Sequence, residues 1–232
     1  MKRSLVAAGG TIAAGVAASG VVLAVSKPAR KRLFFSLAVP RGRVGQLLAG
    51  AIPNLHRPVY PLVARVLDLQ PDDDLLEVAC GDGEFLHEHA GHVRSIVGLD
   101  LSDVQVSLAR RRLHDRIAAG TAQIVEGDAA ALPFPDGRFS AVTCMGSLEF
   151  FSDPQVALGE MYRVLRPGGR VVITMGWRGD DDKASGGTDA LGLWVWNAGD
   201  IDRLMEAAGF AEVSVSYGPW GGQESRLVRG VK

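Results

Sequence analysis

Cysteine is scarce in this 232-residue chain: Cys80 and Cys144 are the only two. They form no disulfide framework and no CxxC pair, and they suit a reducing compartment. A charge excess of either sign is also missing. Lys and Arg number 25 against 26 Asp and Glu, so no overall basic field argues for a nucleic-acid partner. The basic residues gather beside one apolar run and form no aromatic-interleaved stripe. No segment repeats. Apolar residues are not in short supply: they make up 47% of the chain, with 22% charged, the balance of a globular protein with a sizeable core. The length allows one large domain, or one domain with an appendage.

The compositional outlier is the N-terminus. Residues 5–25, "LVAAGGTIAAGVAASGVVLAV", carry no charge. As a helix they would reach roughly 31 Å, about one bilayer core. Lys2 and Arg3 precede the run, and Lys27, Arg30, Lys31, Arg32, Arg41 and Arg43 follow it. The heavier basic flank puts the C-terminal side in the cytoplasm if the run spans a membrane. Three readings are open: a membrane anchor, a cleaved signal peptide and a leader that does neither. On the first, the catalytic part is cytoplasmic and tethered to the cytoplasmic membrane through residues 5–25.

Residues 41–52 place Val44, Leu47, Leu48, Ala51 and Ile52 on one helical face, as an interfacial helix or a lid packed on the domain. A second helix after Pro58 repeats the spacing with Val59, Leu62, Val63, Val66 and Leu67. From Asp74 the pattern becomes strand–helix alternation. Strands are predicted over 74–79, 95–100, 122–128, 139–145 and 169–175, and a closing hairpin over 212–217 and 225–231. Helices are predicted over 84–92, from a Ser102 cap to about 117, from an Asp153 cap and Pro154 to 165, and around 199–208 up to Gly209. Such alternation requires right-handed crossovers: a doubly wound, mostly parallel sheet of seven strands with helices on both faces and an N-terminal helical extension. Ligands of such sheets bind beyond the carboxyl ends of the strands.

Those ends carry the chemistry. In "LLEVACGDGEF" (75–85), Gly81 and Gly83 let the chain turn sharply off its strand and let a ligand approach the backbone. As a dinucleotide fingerprint the stretch fails: Leu86 occupies the third glycine position, and Glu77 would repel a pyrophosphate. Asp100 ends the next strand and can accept from both ribose hydroxyls of a nucleoside. Asp128 ends the third and can accept from an adenine amine. Three acids at three successive strand ends suit a nucleoside without phosphate. Strand-end aspartates are also common helix caps, and that reading stands beside the first.

The stretches "LLEVACGDGEF", "IVGLDLSDVQVSLARRR", "VEGDAAALPFPDGRFSAV", "LEFFSDPQVALGEMYRVLRPGGRVVIT" and "LMEAAGF" occur in that order. Together they resemble the successive motifs of class I S-adenosylmethionine-dependent methyltransferases, in particular the quinone-biosynthesis and phospholipid group. The resemblance covers about residues 58–231 and implies a Rossmann-like methyltransferase fold. It divides the chain into an apolar leader and basic linker (1–40), lid helices (41–70) and a catalytic domain (71–232). It also implies S-adenosyl-L-methionine as cofactor, with Glu77, Ala79, Gly81 and Gly83 around the methionine moiety, Asp100 and Leu101 at the ribose, and Asp128 and Ala129 at adenine. Two positions depart from the pattern: Ala79 replaces the first glycine of the turn, and Ser140 replaces an aspartate common after Arg-Phe. The implied strand order makes the strands ending at Cys80 and Cys144 neighbours, so the two thiols could approach each other; buried free thiols are the default expectation.

The family has no fixed catalytic side chain. Candidates here are Glu149, which could orient an acceptor or take its proton, and His56 and Tyr60 on the expected lid. Phe150, Phe151, Trp177, Trp194 and Trp196 could wall an apolar pocket or belong to the core. His87, His89 and His92 are not read as a metal site, since 87 and 89 point to nearly opposite sides of a helix. The charged loop 178–190 either covers the substrate or is simply solvated. The expected reaction is methyl transfer to a small, amphipathic or lipid-like acceptor. A soluble specialised metabolite is the alternative acceptor. A non-catalytic binder of the cofactor and a nucleotide-dependent oxidoreductase are the rival functions.

Overall fold

A computed structural model of the chain describes residues 39–42, 57–176, 187–188, 194–196, 198–220 and 223–232. A 3-10 turn (Arg57–Val59) leads into α1 (Tyr60–Leu67), whose Pro61 sits in the first turn, where no amide partner is lost. Then follow β1 (Asp74–Val78), α2 (Glu84–His89), β2 (Ser95–Asp100), α3 (Asp103–Arg112), α4 (His114–Ala118), β3 (Ala122–Glu126), β4 (Phe139–Met145), α5 (Pro154–Val164) and β5 (Leu165–Gly176). A two-stranded ladder, β6 (Gly187–Thr188) with β7 (Trp194–Val195), precedes α6 (Ala198–Ala207), β8 (Ala211–Trp220) and β9 (Gln223–Val231).

Seven strands form one sheet in the order β3-β2-β1-β4-β5-β9-β8. The first five pair in parallel, and β9 runs antiparallel to both β5 and β8. β1 and β4 are buried along their whole length because both faces are covered, whereas edge strand β3 is partly exposed. Period-two alternation sorts the side chains into two layers. Leu75, Ile96, Ala141, Val172 and Leu227 pack under α1, α2 and α3 with Val63, Phe85 and Ala109. Leu76, Val78, Val142, Ile173 and Val228 pack under α5 and α6 with Leu158, Met161 and Met205.

The predicted apolar face of α1 points into the first layer: Val59, Val63 and Leu67 are fully buried, and Leu62 and Val66 pack at its margin. The Ser102 and Asp153 caps are present, accepting from Gln105 N and from Gln155 N and Val156 N respectively. Two helices differ from expectation. The helix over 84–92 stops at His89 and finishes as a 3-10 turn containing Gly91. The helix expected from 102 to 117 breaks at Leu113, whose fully buried side chain seats beside Gly83. Both cysteines are buried free thiols, the default expectation; Cys80 lies in the first layer and Cys144 in the second, so they do not approach each other within one layer.

The N-terminal edge of the sheet is closed by ion pairs. Arg170 donates to both carboxylate oxygens of Asp73 and to the terminal carbonyls of α1 at Leu67 and Asp68. Ser140 donates to Asp73 at 2.6 Å and accepts from Asp74 N at 2.9 Å, so a hydroxyl serves where the resembling family has an aspartate.

Residues 5–25, the 41–52 helix beyond Gly42, and most of the 178–190 loop lie outside the described residues, as do His56 and Trp177. Among the described residues, no helix is long and apolar enough to cross a membrane.

Candidate active site

The connections from β1 run to β2 and β3 on one side, while β4 and β5 lie on the other. A crevice therefore opens at the carboxyl ends of β1 and β4. Three turns line it, and seven of the eight residues expected around the cofactor lie on them; the eighth, Glu77, sits in β1 beneath the first turn.

The first turn leaves β1 through Ala79, Gly81 and Gly83, all left-handed, with φ of 57°, 54° and 74°. Ala79 adopts the conformation its missing glycine would have favoured. At Gly83 a methyl group would meet Ala109 Cβ at 3.1 Å and Leu113 Cδ1 at 3.3 Å, so glycine lets α3 close on the turn. Arg112 of α3 pairs with Asp82 at the loop tip.

The second turn carries Asp100 and Leu101. Asp100 accepts from Gly81 N at 2.8 Å and Ser102 N at 2.9 Å, and its carbonyl accepts from Gly127 N at 3.0 Å. One residue thus laces all three turns together. Burial raises its carboxyl above the ordinary range, against the pull of the backbone donors at Ser102, Gly81 and Leu101. Leu101 beside it is 43% exposed, an apolar surface at the rim.

In the third turn, Asp128 accepts from Ala130 N at 2.9 Å, its side chain exposed, while Ala129 is buried. Glu160 and Arg163 of α5 hold the rest of this loop: Glu160 accepts from Leu132 N, and Arg163 donates to the Leu132 and Phe134 carbonyls and to Asp136.

Glu77 lies beneath the first turn, 3% exposed, with Oε2 buried and without a partner. Burial, then the charges of Asp82 and Asp100, push its carboxyl well above its ordinary value.

Glu149 stands on the next strand over, in the turn Leu148–Phe150 after β4, half-buried. Trp194 donates from Nε1 to the Phe151 carbonyl at 3.0 Å and stacks on Trp196, with centroids 6.1 Å apart and planes 3° apart. Trp196 and Phe151 pack against the second layer, so these aromatics join core to crevice. α1 runs antiparallel to β1: its leading Arg57 reaches Glu84 and Glu88, and its far end reaches Arg170. Tyr60, at the start of α1, therefore comes to the crevice edge, but it is 4% exposed with its ring edge-on to Phe85 at 5.3 Å. His89 packs on Phe85 and lies 6.0 Å from His92. Among the described residues, no three His, Cys, Asp or Glu side chains group around a possible metal position.

Sequence reasoning missed several supports. Glu160 and Arg163 form a legible i,i+3 pair, but their grip on the third turn has no local signature. Arg226, opposite Met175 near the carboxyl end of β5, is 2% exposed; its only sequence signal is a cation in an apolar strand. Pro40 is buried, and its carbonyl accepts from the Ser102 hydroxyl, bringing the N-terminal segment to the second turn.

An edge that presents carboxylates and backbone amides fits a nucleoside whose other end is cationic. At this edge, Glu77 Oε2 is a buried carboxylate oxygen without a hydrogen-bond partner, which suits a positive charge. Comparison with known proteins points the same way. Residues 76–173 match the family model described as a methyltransferase domain. Over 144 residues the chain is 33% identical to the ubiquinone/menaquinone biosynthesis C-methyltransferase UbiE of Ectopseudomonas mendocina (strain ymp), covering 61% of this chain and 55% of that enzyme. The chain spans a little over half the length of this curated relative. Among solved structures, the [4+2]-cyclase SpnF superposes with a TM-score of 0.66 at 24% identity, covering 75% of this chain and 80% of the other. Phosphoethanolamine N-methyltransferase 2 of Haemonchus contortus, in complex with S-adenosyl-L-methionine, superposes at 0.64 with 16% identity, covering 81% and 57%. Sheet order, acid-and-glycine turn and domain match fall on the same stretch of sequence: residues 76–173 carry a methyltransferase domain, set on the seven-stranded, Rossmann-like methyltransferase fold.

Proposed function

We propose that this protein transfers the methyl group of S-adenosylmethionine to a small, amphipathic acceptor of quinone type. The observation that carries the reading is the row of carboxylates along three neighbouring strand ends, Glu77, Asp100 and Asp128. When bound, the cofactor supplies an electrophilic methyl on a sulfonium. Asp100, held by two amides, keeps free lone pairs for the ribose hydroxyls. Leu101 covers the rim beside it. Asp128 and Ala129 meet the adenine edge, and Glu77 with the turn Ala79–Gly83 holds the cationic methionine end. The chain's contribution is positioning and exclusion of water.

The acceptor enters from the β4 side, between the Leu148–Phe150 turn and the Trp194–Trp196 stack. Glu149 orients it or takes its hydroxyl proton, leaving an electron-rich ring to attack the methyl in line. Two features support a lipid-like acceptor: the matched relative is named for ubiquinone and menaquinone biosynthesis, and the apolar residues 5–25 with their basic flank would keep a cytoplasmic catalytic domain at the membrane. A soluble specialised metabolite is the competing acceptor. Because one protein of this fold is named a cyclase, fold alone does not fix the reaction.

Calorimetry of the full chain with S-adenosylmethionine and S-adenosylhomocysteine, beside Asp100→Ala, tests the cofactor site. Loss of hydrogen bonds to a charged group predicts affinity about 10- to 100-fold weaker in the variant. Labelled methyl appearing in a lipid extract supports the acceptor class. Label confined to water-soluble products, or cofactor binding with no methyl acceptor in either extract, overturns it.

A further inference from the structure

Three acids face the turn after β1, and two are satisfied. Asp100 accepts from Gly81 N and Ser102 N. Asp82 pairs with Arg112 and accepts from Glu84 N at 3.3 Å. Glu77 keeps a buried oxygen with nothing opposite it. Its register neighbours offer no charge: Gly98 on β2 has no side chain, and Thr143 on β4 donates to the Val172 carbonyl. The titratable groups that face it are Asp82 and Cys80 from the loop, Asp100 from the end of β2 and Cys144 from β4. No cation offsets them among the groups that act on Glu77.

We propose that Glu77 is a charge-reading, specificity-determining residue: it gives up a proton to solvent as the sulfonium end of S-adenosylmethionine enters, and keeps that proton when the thioether product, which lacks the sulfonium charge, is bound. The inference rests on the cofactor reading above. Methyl transfer removes one positive charge from the cofactor. The ammonium of the methionine end stays in the product, but with the sulfonium gone a buried carboxylate beside two other acids is less well offset, so the carboxyl takes a proton back from solvent. Burial and the two neighbouring acids favour the protonated form of the free site. The carboxylate O–H bond breaks on cofactor entry and reforms after transfer, with the proton exchanged to bulk water. The site thereby favours substrate over product by charge, although the two differ by a single methyl.

The test is a proton count. Full-length protein is titrated by calorimetry in buffers of different ionisation enthalpy, first with S-adenosylmethionine and then with S-adenosylhomocysteine. S-adenosylmethionine should release close to one proton more than the product. Its affinity should climb by up to about tenfold per pH unit as pH rises from the ordinary carboxyl value toward the raised value of the free site, while that of the product rises less. Glu77→Gln should abolish the difference in proton release. Asp82→Asn, which removes a repelling charge and leaves Glu77 in place, should lower the count at a given pH. Equal proton release for the two ligands, or an undiminished difference in Glu77→Gln, overturns the inference. If a folded parent chain binds neither ligand, the cofactor reading itself fails, and this inference with it.

Discussion

At the N-terminal edge of the sheet, Asp73 and Asp74 are buried against arginines; at the C-terminal edge, Glu77 and Asp100 are buried to a similar degree and meet none among the described residues. Burial alone raises all four. Hydrogen bonds from Arg170, Ser140 and Gln70 N reverse it at Asp73, and Arg94, Ser95 and Arg138 reverse it at Asp74, so both stay below the ordinary range. Nothing reverses it at Glu77, and backbone amides only moderate it at Asp100. One edge uses its acids to bind the protein together. The other leaves its acids without a cationic partner among the described residues, which is what the proposed cofactor site requires.

Breaking the closed edge has the largest expected effect. Asp73→Ala leaves Arg170 facing a buried gap and should lower stability by about 3–5 kcal/mol, read from chemical denaturation. Because the folded Asp73 and Asp74 carboxyls lie below their unfolded value of 3.8, their stabilisation is present above that value and drains away as pH falls beneath it.

The open edge has the opposite sign. A carboxyl raised in the folded state costs stability as pH climbs from its unfolded value, 4.5 for Glu77, toward its folded one. Glu77→Gln should therefore stabilise the ligand-free protein, by a margin that widens as pH climbs above 4.5 toward the raised folded value. A margin independent of pH would mean that the two edges do not differ in the way described.

Smaller effects sharpen the contrast within the first turn. Ala79→Gly relieves a left-handed alanine worth about 1–2 kcal/mol, against about 0.5–1 kcal/mol of unfolded-chain entropy. The net is a gain of about 0.5 kcal/mol in thermal unfolding. Arg112→Ala removes a partly exposed pair and should change stability by less than about 1 kcal/mol. It should weaken cofactor affinity a few-fold by loosening Asp82, with no effect on the KM of the acceptor.

Much of this was legible before the fold was known. Apolar runs marked the seven strands of the main sheet, and helix caps at Ser102 and Asp153 stood where their side chains promised. The eight expected cofactor residues were brought to one edge because strand ends of a parallel sheet all face the same way. The break at Leu113 was not legible, since periodicity continues through it; Leu113 is buried beside Gly83, a contact that local sequence does not carry. The separation of Cys80 from Cys144 was not legible either. Neighbouring strand ends bring backbones close, but the pleat and the turn after Val78 decide which face each thiol takes.

Local chemistry lies in the order of residues along the chain, so the sequence by itself determined the alternation of strands and helices, the glycine turn and the acids at strand ends. Which acid meets an arginine depends on contacts as distant as Asp73 with Arg170, 97 positions apart. Only the tertiary structure could decide that, because burial and pairing act through space. The same decision left Glu77 buried, with one oxygen without a hydrogen-bond partner, at the carboxyl ends of the strands.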